Sequence, residues 1–206
     1  SGRGYHGTLT GGPTWTRGKF GEPATVLDGS DDYVSLPALN LVYSGFVSMW
    51  WRPDESVASN DHPLFRTTDG TNFLDIYPYL GSLYYGWVTG TDLRRIWAIS
   101  GVTTGAWHHI AMTFTNGAGV QLYLNGVNVD GGGVATAWTL STATTTRLGA
   151  DQVYSSRAAA AISNVVFGTT TNANRIIELY RNPFLLYWQP SRASFFDMRY
   201  DPSAYE

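Results

Sequence analysis

The densest group of acids in the chain is Asp28, Asp31 and Asp32, inside Asp28-Gly29-Ser30-Asp31-Asp32. Carboxylates this close suit two kinds of chemistry. A pair flanking a glycosidic bond serves as acid and nucleophile, or as acid and base. A group of oxygens holds a hard cation such as calcium, and Asp151 or Asn125 could add further donors. The setting points to a plainer role, because Asp in a Gly-Ser turn commonly bonds the local backbone. No Glu-x-Asp-x-Glu pattern falls on a strand, and no Asp-x-Asp-x-Asp-Gly run occurs. The acids are therefore expected to be turn residues rather than catalysts. Calcium held by Asp28, Asp31, Asp32 and Asp151 stays open as the metal alternative, and no other cofactor is expected.

The remaining chemistry-bearing residues are few. His108 and His109 are neighbours on a β run, so they point to opposite faces and cannot jointly ligate one metal. No Gly-x-Ser-x-Gly elbow, phosphate loop or dinucleotide fingerprint is present. Aromatic rings can stack on the C–H faces of sugars. Trp87, Trp97, Trp138, Tyr77, Tyr79, Tyr84 and Tyr85 are the candidates, although most aromatics in a β fold fill its core. Tyr79, between Pro78 and Leu80, and Trp138, in a loop, are the two expected at the surface as ligand-binding residues.

The elements that must position these residues are strands. The 206 residues are 43% hydrophobic and 15% aromatic, enough for a real core in one large all-β domain. Only 14% are charged, so the surface must rely on Ser, Thr, Asn, Gly and Tyr. A net charge of -3 argues against a nucleic-acid groove, which needs a basic face. There is no cysteine, hence no disulfide framework. No apolar run reaches the roughly 18 residues of a membrane span, so membrane insertion is not expected. The chain starts at Ser1, not Met, which suggests a fragment or a processed product.

Short β runs alternate with turn signals. Strands are expected over 24–27, 33–36, 45–52, 63–67, 73–77, 82–88, 94–99, 108–115, 120–124, 127–129, 145–149 and 160–167. Val120, Leu122 and Leu124 share one side of their strand, and Asn125-Gly126 is a strong hairpin signal. One helix is expected near Asn174–Tyr180, where Ile176, Ile177 and Tyr180 recur at helical spacing. Thr171 or Asn172 would cap it, and Pro183 would end it. Gly131-Gly132-Gly133 and the stretch 142–146 look like loops.

Read together, several blocks resemble the laminin-G-like domains of concanavalin A-like lectins and glucanases. They are Asp28 to Val34, Phe46 to Pro53, Trp107 to Phe114 followed by Val120 to Gly126, Leu148-Gly149-Ala150, Ala161 to Val165, and the helix ending at Pro183. Each block is weak alone, but their order and spacing are specific. The resemblance implies a two-sheet antiparallel jelly-roll sandwich over residues 1–183, with one short helix, and makes Trp107 and His108 structural. Family members usually carry a strand before the segment resembling Ser1–Leu9. Its absence here would leave a sheet edge unpaired, or filled by residues from elsewhere.

The tail from 184 to 206 exceeds what a closing strand needs. It is rich in aromatics and carries Pro190 and Pro202. Phe184, Tyr187, Trp188, Arg192, Phe195 and Phe196 are candidate interface anchors. The tail resembles those that follow such domains in tailed-phage and prophage virion proteins. The expectation is therefore a non-catalytic structural or adhesion module, a virion component for head decoration or tail association, docking on neighbours or on copies of itself through the arm. The alternative is a carbohydrate-binding, lectin-like domain of a bacterial surface or secreted protein. Either implies a virion or extracellular location.

Overall fold

The computed structural model of the chain describes residues 6–39, 44–58, 60–130, 145–151, 156–184 and the backbone of Ser194 and Phe195. Its elements, in order, are β1 (Thr8–Thr10), β2 (Thr14–Arg17), β3 (Pro23–Asp28), β4 (Tyr33–Leu36), β5 (Ser44–Pro53), β6 (Phe65–Thr68), β7 (Phe73–Tyr79), β8 (Ser82–Val88), β9 (Arg95–Ala98), β10 (His108–Thr115), β11 (Gly119–Leu124), β12 (Val127–Asn128), β13 (Thr145–Leu148), β14 (Ala159–Gly168), α1 (Ala173–Arg181) and β15 (Ser194–Phe195). Every expected strand is present, with ends moved by at most two residues. β1, β2 and β15 were not expected. They are short, and they exist only because β4, β3 and β14 offer them an edge to pair with.

The strands form two antiparallel sheets. The seven-stranded sheet runs β1-β4-β13-β6-β7-β8-β9. The eight-stranded sheet runs β12-β11-β10-β5-β14-β3-β2, with β15 also paired to β14. Alternation decides what lies between them. Val47, Met49 and Trp51 of β5 and Ile110, Met112 and Phe114 of β10 meet Leu74 and Ile76 of β7 and Leu83, Tyr85 and Trp87 of β8 in one buried core. Burying each such side chain contributes about 1.5–3 kcal/mol, which is what drives the sheets together.

β14 shows how the alternation is corrected midway. Ala160 and Ile162 point into the core, then a bulge between Ser163 and Val166 shifts the phase, and Val165 and Phe167 point inward in turn. Asn164 takes the bulge at φ 48°. Glu22 ties it down, accepting hydrogen bonds from Ser163 Oγ at 2.9 Å and Asn164 Nδ2 at 2.5 Å. Beyond Ile162, β3 no longer flanks β14, and Phe195 and Ser194 pair with Val166 and Phe167 there. Two residues of the chain's own tail thus pair with β14 where β3 has ended.

α1 closes the outer face of the eight-stranded sheet. Asn172 is its cap, accepting from Asn174 N at 2.9 Å, and Asn182 leaves the helix in an extended conformation before Pro183. Ile176 and Leu179 are buried against Phe46, Ala111, Tyr123 and Val166. The Asn125-Gly126 turn has φ of 49° and 77°, as a type I′ hairpin requires. A side chain at Gly126 would strike the Tyr180 ring, so the turn also packs on the helix.

Candidate functional site

The outer face of β6, β7 and β8 is built differently. Alternation puts Arg66 of β6, Phe73, Asp75, Tyr77 and Tyr79 of β7, and Tyr84 and Gly86 of β8 on the side away from the core. Register then makes neighbours of them: Arg66 lies opposite Asp75, Asp75 opposite Gly86, and Tyr77 opposite Tyr84. Gly86 has no side chain to occupy the position across from Asp75, and Arg94 reaches in from the turn before β9.

An ion-pair network results. Arg66 Nη2 lies 2.7 Å from Asp75 Oδ2, with both side chains buried. Arg94 Nη1 lies 3.4 Å from the same oxygen, and Arg94 Nη2 lies 2.6 Å from Asp92. Asp151 adds a longer contact, 3.8 Å from Arg66 Nη1. The guanidiniums also stack on rings: Arg66 sits 4.1 Å from the Phe73 centroid, and Arg94 sits 5.2 Å from that of Tyr84. Burial pushes the Asp75 carboxyl up from the usual range, and the two guanidiniums pull against it. Desolvating such a pair is expensive, so the pairing holds the charges in place more than it stabilises the fold.

Beside the network is a cavity of about 480 Å³, lined by Asp61, Arg66, Tyr77, Tyr79, Tyr84, Arg94 and Ser156. That volume is in the range of small-molecule sites. Asp61 Oδ2 accepts hydrogen bonds from Tyr77 Oη at 3.1 Å and Ser156 Oγ at 2.9 Å, while Oδ1 takes none from the described residues. Burial and the adjacent Asp61 raise the Tyr77 phenol, keeping it a neutral donor. Tyr79 is 38% exposed and stands 6.0 Å from Tyr84, ring edge to ring face. The wall thus offers aromatic surface, a carboxylate acceptor and guanidinium donors. It suits a ligand with both apolar faces and hydroxyls.

Tyr79, expected at the surface, is in the cavity wall, with Tyr77 and Tyr84 beside it. Tyr85 and Trp87 instead point into the core, and Trp97 packs partly buried against it. Burial pushes the Tyr85 phenol up to about 12. Trp138 lies outside the described residues, as do Tyr187, Trp188, Arg192 and Phe196. Phe195 is described only by the backbone pairing of β15. Phe184 lies 6.0 Å from Phe20 on its own domain, and Phe20 in turn packs edge-on to Trp50 at 5.2 Å.

The four acids considered for a metal do not form one group. Asp28, Asp31 and Asp32 do cluster, with one oxygen of each within 4.8 Å of the others. Their oxygens also serve the turn: Asp32 Oδ2 accepts from Asp28 N at 3.0 Å, and Asp28 Oδ1 accepts from Ser30 N at 2.8 Å. Burial and the adjacent carboxylates raise Asp32. Asp151 is outside the cluster, beside Arg66. Asn125 Oδ1 accepts from His109 N at 2.9 Å, a role in the hairpin.

His108 and His109 do face opposite ways. His108 lies against Trp51, whereas His109 lies against Trp50 and Tyr180 beneath α1. His109 Nε2 is 2.8 Å from Ser48 Oγ. Ser48 and His109 are both buried, and burial holds the His109 imidazole down to about 3.

Sequence reasoning missed Asp61, Arg66, Asp75, Arg94 and Ser156. One signal was available: Asp75 interrupts an apolar strand on the same side as Phe73, Tyr77 and Tyr79.

The sandwich has counterparts among known proteins. The family model of the concanavalin A-like lectin/glucanase superfamily matches residues 28–176. The chain belongs to that superfamily, which by its name holds both lectins and glucanases. Among solved structures it is similar to domain 4 of a GH43 extracellular arabinanase from Geobacillus stearothermophilus, solved in complex with arabinotriose. Identity is 22%, the TM-score is 0.62, and the match covers 84% of this chain and 87% of that one. It is also similar to the receptor-binding domain of a botulinum neurotoxin C/D mosaic serotype, at 14% identity and TM-score 0.68, covering 87% of this chain. The binding domain of botulinum neurotoxin DC in complex with SialylT gives 10% identity and TM-score 0.68, covering 86%. This chain spans about 46% of the length of those toxin domains. At these identities the likeness is one of fold. No curated protein matches the chain in sequence. Among the described residues, no helix is long and apolar enough to cross a membrane.

Proposed function

We propose that the domain is a non-catalytic carbohydrate-binding module, working outside the cell or on a virion, with the cavity on the seven-stranded sheet as its sugar site. The observation that carries this reading is the pairing of exposed Tyr79 and half-buried Tyr84 with Asp61 and Arg94 around one cavity. A sugar ring stacks its C–H face on a tyrosine while its hydroxyls bond the charged groups. Asp61 is the one acid among the described lining residues, with Oδ2 held by Tyr77 and Ser156, and the neighbouring Asp75 is held in ion pairs. That supports binding over hydrolysis. The arabinotriose in one structural neighbour supports the same reading.

A glycan array followed by titration calorimetry tests it. The wild-type chain should bind at least one oligosaccharide without turning it over, and Tyr79→Ala or Tyr84→Ala should weaken that binding about tenfold, the scale of a lost stacking contact. Undiminished binding in both variants would place the sugar elsewhere and sink the proposal.

A second reading, assembly onto neighbouring virion subunits through the tail, has one observation behind it. Phe20 stays 43% exposed next to Phe184, at the root of the tail. Against it, Ser194 and Phe195 already pair with β14 of their own domain. Removing residues 184–206 decides between them. A folded chain that no longer self-associates or joins its particle supports assembly; one that unfolds or associates unchanged rules it out.

A further inference from the structure

The charges around the cavity are unevenly matched. Arg66 pairs with Asp75 and Asp151, and Arg94 pairs with Asp75 and Asp92. Two guanidiniums therefore meet three carboxylates. Asp61 adds a fourth carboxylate and has no cation within ion-pair distance among the described residues. Arg147 and Arg157 add positive charge on the Asp151 side, but neither is within ion-pair distance of Asp61. Both guanidiniums lie over the Tyr33 ring, at 4.5 and 5.4 Å, and donate to the backbone carbonyls of Asp151 and Ser156.

An acidic ligand meets a poor welcome in such a site. A uronate, sialate or sulfate group would compete for the guanidiniums with the carboxylates already paired to them, of which Asp75 is buried. It would also approach Asp61 with like charge. A hydroxyl meets neither obstacle. It can donate to Asp61 Oδ1, the oxygen that takes no bond from the described residues, while Oδ2 is held by Tyr77 and Ser156. Those two bonds fix the carboxylate's orientation before any ligand arrives, which lowers the cost of using it.

Resting on the sugar-binding reading, we propose that the cavity selects neutral, hydroxyl-rich sugars over their acidic counterparts, and that Asp61 sets this selectivity. Asp61 acts as the anionic acceptor that rewards a hydroxyl and as the like charge that rejects a carboxylate or sulfate. This discrimination uses both attraction and repulsion.

The test is an array carrying neutral gluco-, galacto- and arabino-oligosaccharides beside uronic-acid, sialylated and sulfated ones. Wild-type hits should be neutral. Against the best neutral hit, Asp61→Asn should weaken binding about tenfold, the effect of losing one charge-assisted hydrogen bond. The same variant should narrow the gap to the acidic probes. Asp61→Glu keeps the charge and should keep the preference for neutral probes. Thermal melting of each variant separates a lost contact from a lost fold. Wild-type binding of acidic probes as tight as or tighter than neutral ones overturns the inference. So does a folded Asp61→Asn chain with unchanged preference. Binding that Tyr79→Ala abolishes but that shows no charge preference overturns this inference alone. An array with no hits overturns the sugar-binding reading together with it.

Discussion

On the outer face of β5 and β10, α1 lays Ile176 and Leu179 over Phe46, Ala111 and Tyr123. On the outer face of β6 to β8, the equivalent positions carry Arg66, Asp75 and Tyr77, and the face opens into a cavity. Both faces bury their central residues, but by opposite means. The helix-covered face removes apolar area from water, which is favourable without any partner geometry. The cavity face holds buried charges, Arg66 and Asp75, that stay because they face each other at 2.7 Å. A hydrophobic replacement is often at least as stable as a buried ion pair. The polar face therefore gains the fold little, and its arrangement makes sense as a binding surface.

The sharpest way to break this comparison is to remove Asp75. Asp75→Leu should cost about 3–5 kcal/mol in urea unfolding, since Arg66 is left buried without its nearest counter-charge. Arg66→Met with Asp75→Leu should recover most of that loss. A single-variant loss under about 1 kcal/mol would show that the cavity face is not held by its ion pairs.

The apolar face should respond to volume instead. Leu179→Ala should cost about 2–5 kcal/mol, the range for emptying a buried aliphatic site, while leaving sugar binding in the folded protein unchanged. A binding loss larger than the stability loss explains would show that the two faces are coupled.

Lowering the pH should strain the helix-covered side. His109 is held down to about 3 by burial, so the folded protein resists its protonation while the unfolded chain accepts a proton near 6.5. Its stabilising contribution is thus present above pH 6.5 and is lost as pH falls toward 3. At about 1.4 kcal/mol per unit, the loss between pH 7 and 5 is roughly 2 kcal/mol. Burial lowers His62 and His108 in the same direction. A stability profile of His109→Gln as steep as that of wild type would remove His109 from this account.

The smallest effect is expected at the hairpin tip beside the cavity. Leu80 sits at φ 46° and Gly81 at φ 77°. A left-handed conformation costs an ordinary side chain about 1–2 kcal/mol, and Asn tolerates it better. Leu80→Asn should therefore raise stability by up to about 1 kcal/mol in chemical denaturation. A simultaneous loss of sugar binding would mean that exposed Leu80 is part of the ligand surface.

Much of this was readable in the residues alone. Alternation in Phe46–Trp51 and Val120–Leu124, the Asn125-Gly126 turn, and the helix between Asn172 and Pro183 are local. Each depends on side-chain period, on positive φ or on proline geometry, so their residues carry the information themselves. The same holds for Asp28, Asp31 and Asp32, whose closeness is one of sequence, and for Tyr79, singled out by its place beside a proline. The short strands β1 and β2 were not readable, because Thr8–Thr10 and Thr14–Arg17 each hold a single apolar residue and are strands through their pairing with β4 and β3. Nor was the cavity. Arg66 and Asp75 are joined by the register of β6 against β7, and Ser156 reaches Asp61 across 95 positions of chain. Asp151 had been grouped with the turn acids, but the strand order that brings β13 beside β6 puts it against Arg66 instead. The sequence by itself determined which residues alternate and where the chain turns, since those are properties of short segments. Only the tertiary structure decided which charges meet, because an ion pair is specified by the positions of two segments at once.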